Sequence, residues 1–300
     1  MDQAQQLRNI IKKQQVRELG QANNARKAMS ITITSGKGGV GKSSTAVNLA
    51  ISLSELGKKV IILDADFGLA NIEVMFGIRP KYSLADVIFR GMEIDSIITP
   101  GPSNIGFISA GSGIQELANL SRDQIRNISE RLWKLDQLAD YIIIDTGAGI
   151  SDSVLQFIYA SDITLIITTP EPTSITDAYA MLKAVNNMSS EQASRHNIRM
   201  LANRVESYNE GEILFAKLNT VVSKFLLVKP QYIGCIFQDK LISRSVMDQK
   251  PVKLLAPNSN SSKQYDEIAA IIDSRFTKEQ NTRKGILSLF TNTLFGNRNS

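Results

Sequence analysis

Residues 35–44 read Ser-Gly-Lys-Gly-Gly-Val-Gly-Lys-Ser-Ser and lie between an apolar run, Met29 to Thr34, and a helix-like stretch, Thr45 to Leu56. The order is strand, glycine-rich loop, helix. Gly36, Gly41, Lys42 and Ser43 satisfy the GxxxxGK[ST] pattern in the setting its chemistry requires. A chain that turns this tightly presents successive backbone N–H groups to one point, and the helix N-terminus adds its dipole. The loop formed by Gly36, Lys37, Gly38, Gly39, Val40, Gly41, Lys42, Ser43 and Ser44 is therefore expected to hold a nucleoside triphosphate. Lys42 would meet the β- and γ-phosphates, and the Ser43 hydroxyl would ligate Mg²⁺.

Other runs extend the pattern. Lys59 to Leu63 is strand-like and ends in Asp64-Ala-Asp66-Phe-Gly-Leu-Ala-Asn71. Tyr141 to Ile144 is a second apolar strand ending in Asp145, followed by Thr-Gly147-Ala-Gly149. Carboxylates at the C-terminal ends of strands stand where open α/β sheets bind ligands. Further strand-like runs at 162–168, 198–203 and 231–236 alternate with helical segments. That alternation predicts an α/β fold with a mostly parallel twisted sheet covered by helices on both faces.

A second lysine, Lys37, follows the first glycine and is not needed for the loop's own nucleotide. It is either a solvated loop lysine or a cation reaching outward to a nucleotide on another copy of the chain. The string Gly-Lys-Gly-Gly-Val-Gly-Lys-Ser resembles the deviant Walker A motif of the MinD/ParA ATPases. With the acidic pair and the Asp145 strand in family order, the resemblance covers roughly residues 25–275. It implies a Mg²⁺-dependent ATPase that forms a sandwich homodimer on binding ATP, with Lys37 crossing the interface. It also implies that Asp66 positions the attacking water, while Asp64 and Asp145 support the metal with Ser43. Lys37, Lys42 and Asp66 are then the catalytic set.

The base is read from one strand end. GTP-binding proteins usually carry Asn-Lys-x-Asp, whereas Ile198 to Ala202 leads here into Asn203-Arg204-Val205-Glu206. An Asn amide matches the donor–acceptor edge of adenine. Glu206 stands near the place of a guanine-reading carboxylate, but the resemblance implies Asn203 as the adenine contact and ATP as the nucleotide. The Phe237–Asp239 stretch lacks the proline of the loop that many family members place on the base.

Composition bounds the remaining classes. Three hundred residues with 43% hydrophobic content can bury one large core. One cysteine, Cys235, excludes an internal disulfide framework and the paired cluster cysteines of iron–sulfur relatives. No apolar run approaches about 18 residues, and no secretory segment opens the chain, so a cytoplasmic protein is expected. Charge is uneven: residues 1–29 hold six cations against two acids, and residues 275–300 hold five against one. Of the net +5, each end thus carries +4 and the body −3. An acidic body disfavours nucleic acid, the partner of ParA-type segregation ATPases. The expected division is an N-terminal extension over 1–28, an ATPase domain over 29–275 and a C-terminal segment over 276–300.

In the C-terminal segment, Ile286, Leu287, Leu289, Phe290 and Leu294 gather on one helical face behind Arg283 and Lys284. Periodicity alone fits a helix docked on the protein's own core or one lying in a bilayer interface. Similarity to the MinD membrane-targeting helix implies the latter, with reversible attachment at the inner face of the cell membrane. At about 1.5–3 kcal/mol per buried side chain, one copy would hold weakly once ordering is counted. Two copies on a dimer would hold far better.

The N-terminus reads Asp2-Gln3-Ala4-Gln5-Gln6-Leu7-Arg8. By composition it fits a polar tail, or a helix that forms on a partner. It resembles the DQAxxLR element of the FlhG flagellum-number regulators within the family. That likeness implies activation of an FlhF-type GTPase through Asp2, Gln3, Ala4, Leu7 and Arg8, with flagellar switch proteins as further partners. A MinD-type division-site ATPase would share the cycle without needing this element.

Overall fold

The structure, a computed structural model, describes residues 27–66, 71–109, 134–188 and 196–276. An eight-stranded sheet has the order β3-β4-β2-β5-β1-β6-β7-β8. Its strands are β1 (Met29–Thr34), β2 (Val60–Ala65), β3 (Thr99–Pro100), β4 (Gly106–Ser109), β5 (Tyr141–Thr146), β6 (Ile163–Thr168), β7 (Ile198–Val205) and β8 (Gln231–Phe237). All neighbours pair in parallel except β3, which runs antiparallel to β4.

β1, β2, β5 and β6 are buried at every position, as parallel strands covered on both faces must be. Alternate residues serve opposite faces. Ile31, Ile33, Tyr141, Ile143, Leu165 and Ile167 join a core completed by α1 (Lys42–Glu55) and the last described helix. Ile142 and Ile144 face the other side, towards α3 (Leu84–Arg90) and α4 (Ile94–Ile97). Ile166, Met200 and Ala202 face α6 (Asp152–Ala160), α7 (Pro172–Met188) and α8 (Tyr208–Phe225). The remaining helices are α2 (Asn71–Phe76), α5 (Leu135–Leu138), α9 (Lys240–Met247), α10 (Val252–Leu255) and α11 (Asn260–Phe276).

The sequence-predicted strands are present, with ends moved by a residue or two. β4, a four-residue strand, carries too short an apolar run to announce itself. The helix expected from Thr45 starts at Lys42, because the last residues of the glycine loop already adopt helical dihedrals. Cys235 is buried at 2% exposure, in line with its apolar neighbours.

The sheet has two unlike ends. β1 lies between β5 and β6, so successive crossovers leave it in opposite directions and open a crevice beyond the C-terminal strand ends. At the other pole the described body begins and ends. Met29 N donates to Asp140 O, while Tyr141 Oη donates to Asp273, near the end of α11, at 2.7 Å. The lateral edges are also irregular. β3 is two residues long and includes Pro100, and β8 shifts register beside Ile233.

Candidate functional site

The Ser35–Gly41 loop leaves the end of β1 and runs into α1, whose N-cap, Gly41, sits at φ 101° with no side-chain cap and no acid in the first turn. The first N–H groups of α1 are thus left for an anion. Two glycines are fixed by neighbours as well. A Cβ at Gly36 would overlap the Asp177 carbonyl on α7, and one at Gly41 would overlap the Asn203 amide as well as straining the left-handed backbone.

Lys42 is 7% exposed, and its ammonium donates to Ser35 Oγ at 3.2 Å. Burial lowers its pKa, while Asp145 and Asp66 pull it back up. Ser35 Oγ donates in turn to the Lys37 carbonyl at 2.7 Å. Lys37 points elsewhere: its side chain is 36% exposed, and it pairs with Glu171 at 2.5 Å and Thr173 at 2.9 Å. That pairing holds the Glu171 carboxyl below its ordinary range. One loop therefore carries one buried cation and one outer cation.

The acids assemble on the adjacent strand ends. Asp64 and Asp145 are register partners on β2 and β5, and Asp145 also aligns with Ile33 at the end of β1. Asp64 accepts from Asp66 N at 3.2 Å and Ile72 N at 3.1 Å, capping α2. Burial nevertheless raises its pKa to about 6. Asp145 is fully buried, and neither carboxylate oxygen has a donor in hydrogen-bonding geometry. Burial drives its pKa up to about 7; the nearby Ser43 hydroxyl and Lys42 oppose the rise. Asp66 receives Asn71 Nδ2 at 3.2 Å, and Gly147 packs against it, a Cβ there falling 3.5 Å from Oδ1. The Gly149 N–H donates to the Ser35 carbonyl at 3.1 Å, tying the loop after β5 to the glycine loop.

Asn203, on β7, is 5% exposed and holds the glycine loop by donating to Val40 O at 2.7 Å. Its carbonyl accepts from Arg204 N at 3.0 Å. An amide has two hydrogens and two lone pairs, so one of each is left beyond these two bonds. Arg204 occupies a bulge at φ 60°, and its guanidinium reaches Gly39 O at 2.6 Å. The Phe237–Asp239 stretch splits between functions. Phe237 closes β8, while Asp239 caps α9 through Leu241 N and accepts from Ser261.

The structure thus brings together Gly36 to Ser44, Asp64, Asp66, Asp145 and Asn203 at one strand-end crevice. The residues Asp2, Gln3, Ala4, Leu7 and Arg8 lie outside the described residues, as do Ile286, Leu287, Leu289, Phe290 and Leu294. Sequence reasoning missed Ser35, Asn71, Glu171, Asp177 and Arg204. None sits in a motif that names its role; Asn71 alone falls within the acidic string.

Residues 26–273 match the ParA family of P-loop NTPases, described as NUBPL iron-transfer P-loop NTPase. The chain belongs to the MinD/ParA family of P-loop ATPases. Within that family it is FlhG-like. It is 40% identical to the antiactivator FleN of Pseudomonas aeruginosa over 244 residues, covering 81% of this chain and 86% of that one. It is 35% identical to the flagellum site-determining protein YlxH of Helicobacter pylori over 247 residues, covering 82% of each. The fold is shared with the septum site-determining protein MinD of Pyrococcus horikoshii complexed with Mg-ADP. That match has a TM-score of 0.64 at 20% identity and covers 85% of this chain and 99% of that one. The iron-transfer description finds no paired cysteines here, since the chain's one cysteine is buried. As a MinD/ParA ATPase, the chain binds a nucleotide.

The residues present fit a divalent cation. Among the described residues no three metal-binding side chains cluster into a cage. A phosphate-bound Mg²⁺ needs none, because phosphates and water fill most of its octahedron. A buried carboxylate with two orphaned oxygens beside a serine hydroxyl is the donor set such an ion takes. Among these residues, too, no helix is long and apolar enough to cross a membrane.

Proposed function

We propose that this chain is an ATP-dependent dimerising switch that sets flagellar number and placement and attaches reversibly to the membrane. The observation that carries the reading is the division of labour between two lysines of one loop. Lys42 is buried where the chain's own phosphates would lie, and Lys37 stands on the outer side, where a second copy can present its nucleotide. The flagellar role is supported by the likeness to FleN and YlxH.

ATP is held by the backbone of Gly36 to Ser44, with Asn203 beside the base and Lys42 on the terminal phosphates. Ser43, Asp64 and Asp145 would hold Mg²⁺, which when bound would offset charge on the β- and γ-phosphates. Asp66, steadied by Asn71 and close to Gly147, orients water for in-line attack. Loss of the γ-phosphate frees the loops after β2 and β5, and the dimer parts. Residues 1–28 act as a separate element on an FlhF-type GTPase, and residues 276–300 as the membrane segment. The described body begins and ends at the pole away from the nucleotide site.

Size-exclusion chromatography with light scattering tests the central claim. With ATP, Asp66→Ala should run as a dimer, while Lys37→Ala stays monomeric and still binds ATP. A Lys37→Ala protein that dimerises as well as its parent refutes the crossing role. Phe290→Glu should abolish sedimentation with anionic vesicles without changing ATP affinity. A peptide of residues 1–20 should stimulate the FlhF-type GTPase, and Gln3→Ala or Arg8→Ala should weaken it.

A further inference from the structure

Helix α8 has a buried side and an unusual outer side. Gly211, Leu214, Leu218 and Val222 face the sheet at three- and four-residue spacing. Ile213, on the outer side, is 45% exposed, while Val221 at 43% and Phe225 at 63% flank the buried seam; Leu227, in the turn that follows, is 54% exposed. Lys217, Lys224 and Lys229 are exposed among them, and Lys224 Nζ lies 5.3 Å from the Phe225 ring centroid. Between Glu212 and Asp239 the chain has no acid, and between Arg204 and Arg244 no arginine.

We propose that this stripe of α8 and its following turn is a second, body-borne contact with an anionic lipid surface. The inference rests on the membrane reading above. Large apolar tips alternating with lysines, with the acids Glu210 and Glu212 confined to the N-terminal end of α8, match an interface where rings enter the acyl boundary and ammonium groups stay among phosphates. A nucleic-acid surface would be expected to use arginine forks and hydrogen-bonding side chains, which the stripe lacks. The body as a whole is acidic, so these lysines form a local field opposite in sign to the rest.

Position supports the same partner. α8 and α11 both run from the nucleotide end of the sheet to the opposite pole. They flank β8 on its two faces and approach round its edge, where Tyr208 Oη lies 3.5 Å from Glu267. α11 ends at that pole, a short stretch of sequence before the amphipathic residues 286–294, so one lipid surface can meet both elements. The stripe would then fix how the body sits on the membrane, which a terminal segment alone cannot do.

The test labels the full chain with an environment-sensitive nitrobenzoxadiazole at Phe225→Cys, or at Phe290→Cys in a second sample. Cys235 is replaced by serine in both. Each is mixed with phosphatidylcholine vesicles with and without phosphatidylglycerol, in the presence of a non-hydrolysable ATP analogue. Emission at position 225 should rise and shift to the blue only with the anionic vesicles. Lys217→Gln and Lys224→Gln should each weaken partitioning about fivefold. If position 290 enters lipid and position 225 stays aqueous, the stripe is refuted and the membrane reading stands. If neither enters, both fall. A response at 225 to duplex DNA, or to protein concentration without vesicles, would replace lipid by nucleic acid or a second copy.

Discussion

Replacing Asp145 by asparagine should make the empty protein more stable and the nucleotide-binding protein worse. Asp145 is fully buried with both oxygens orphaned, and its pKa is lifted from 3.8 to about 7. A carboxyl whose pKa is higher in the folded state than in the unfolded chain binds its proton more tightly when folded. Stability therefore falls as pH rises from about 4 to about 7, and the full penalty persists above that. Taken alone, the shift corresponds to about 4 kcal/mol at pH 8. The asparagine would also forfeit the attraction to Lys42 and bring an amide that needs a partner, leaving a net gain of about 2 kcal/mol. For a domain this large that is about 5 °C in melting temperature. Differential scanning fluorimetry from pH 4 to pH 8 measures it, with and without Mg·ATP. The variant should match the wild type near pH 4, exceed it at pH 8, and lose the Mg²⁺-dependent part of the shift given by ATP. An empty variant that melts below the wild type at pH 8 with an unchanged pH slope would refute the reasoning.

Glu171→Gln removes the acid that holds Lys37 within its own chain, so half-maximal dimerisation in light scattering should need severalfold less ATP; an unchanged midpoint rules out that restraint. Gly41→Ala combines a left-handed backbone with a clash against Asn203, and should cost about 3 kcal/mol of stability in denaturant titration and abolish nucleotide binding. Asn203→Ala frees the Val40 carbonyl and should cost about 1–3 kcal/mol of ATP affinity by calorimetry, with a narrowed preference over GTP. If ATP and GTP lose affinity equally, Asn203 shapes the loop without reading the base.

The glycine loop was legible in sequence because its chemistry, its turn and its flanking strand and helix all occupy contiguous residues. Asp64 and Asp145 were legible for a related reason: each closes an apolar run, and a parallel sheet brings strand ends together. Glu171 and Arg204 were not. The first reaches Lys37 only because β6 neighbours β1 in the sheet, more than 130 residues on in the chain. The second depends on a one-residue bulge that no local propensity announces, arginine being an unusual choice at positive φ. Asn203 shows the middle case, a polar residue at the right strand end whose partner, the Val40 carbonyl, is a backbone atom and leaves no trace in the sequence. The exposed side of α8 is illegible for the opposite reason, since its spacing resembles that of a helix buried on two sides.

The ragged lateral edges of the sheet bear on what happens when many copies crowd together. A long, flat edge strand would offer its unpaired N–H and C=O groups to the next molecule, and dense protein would then join sheet to sheet without limit. Here one edge stops after two residues, at a proline that has no N–H to give, and the other is kinked out of register beside Ile233. Among the described residues neither is a template for another strand. Copies gathered at high local density are thus steered away from open-ended filaments, whereas the crevice-to-crevice dimer proposed above would close at two.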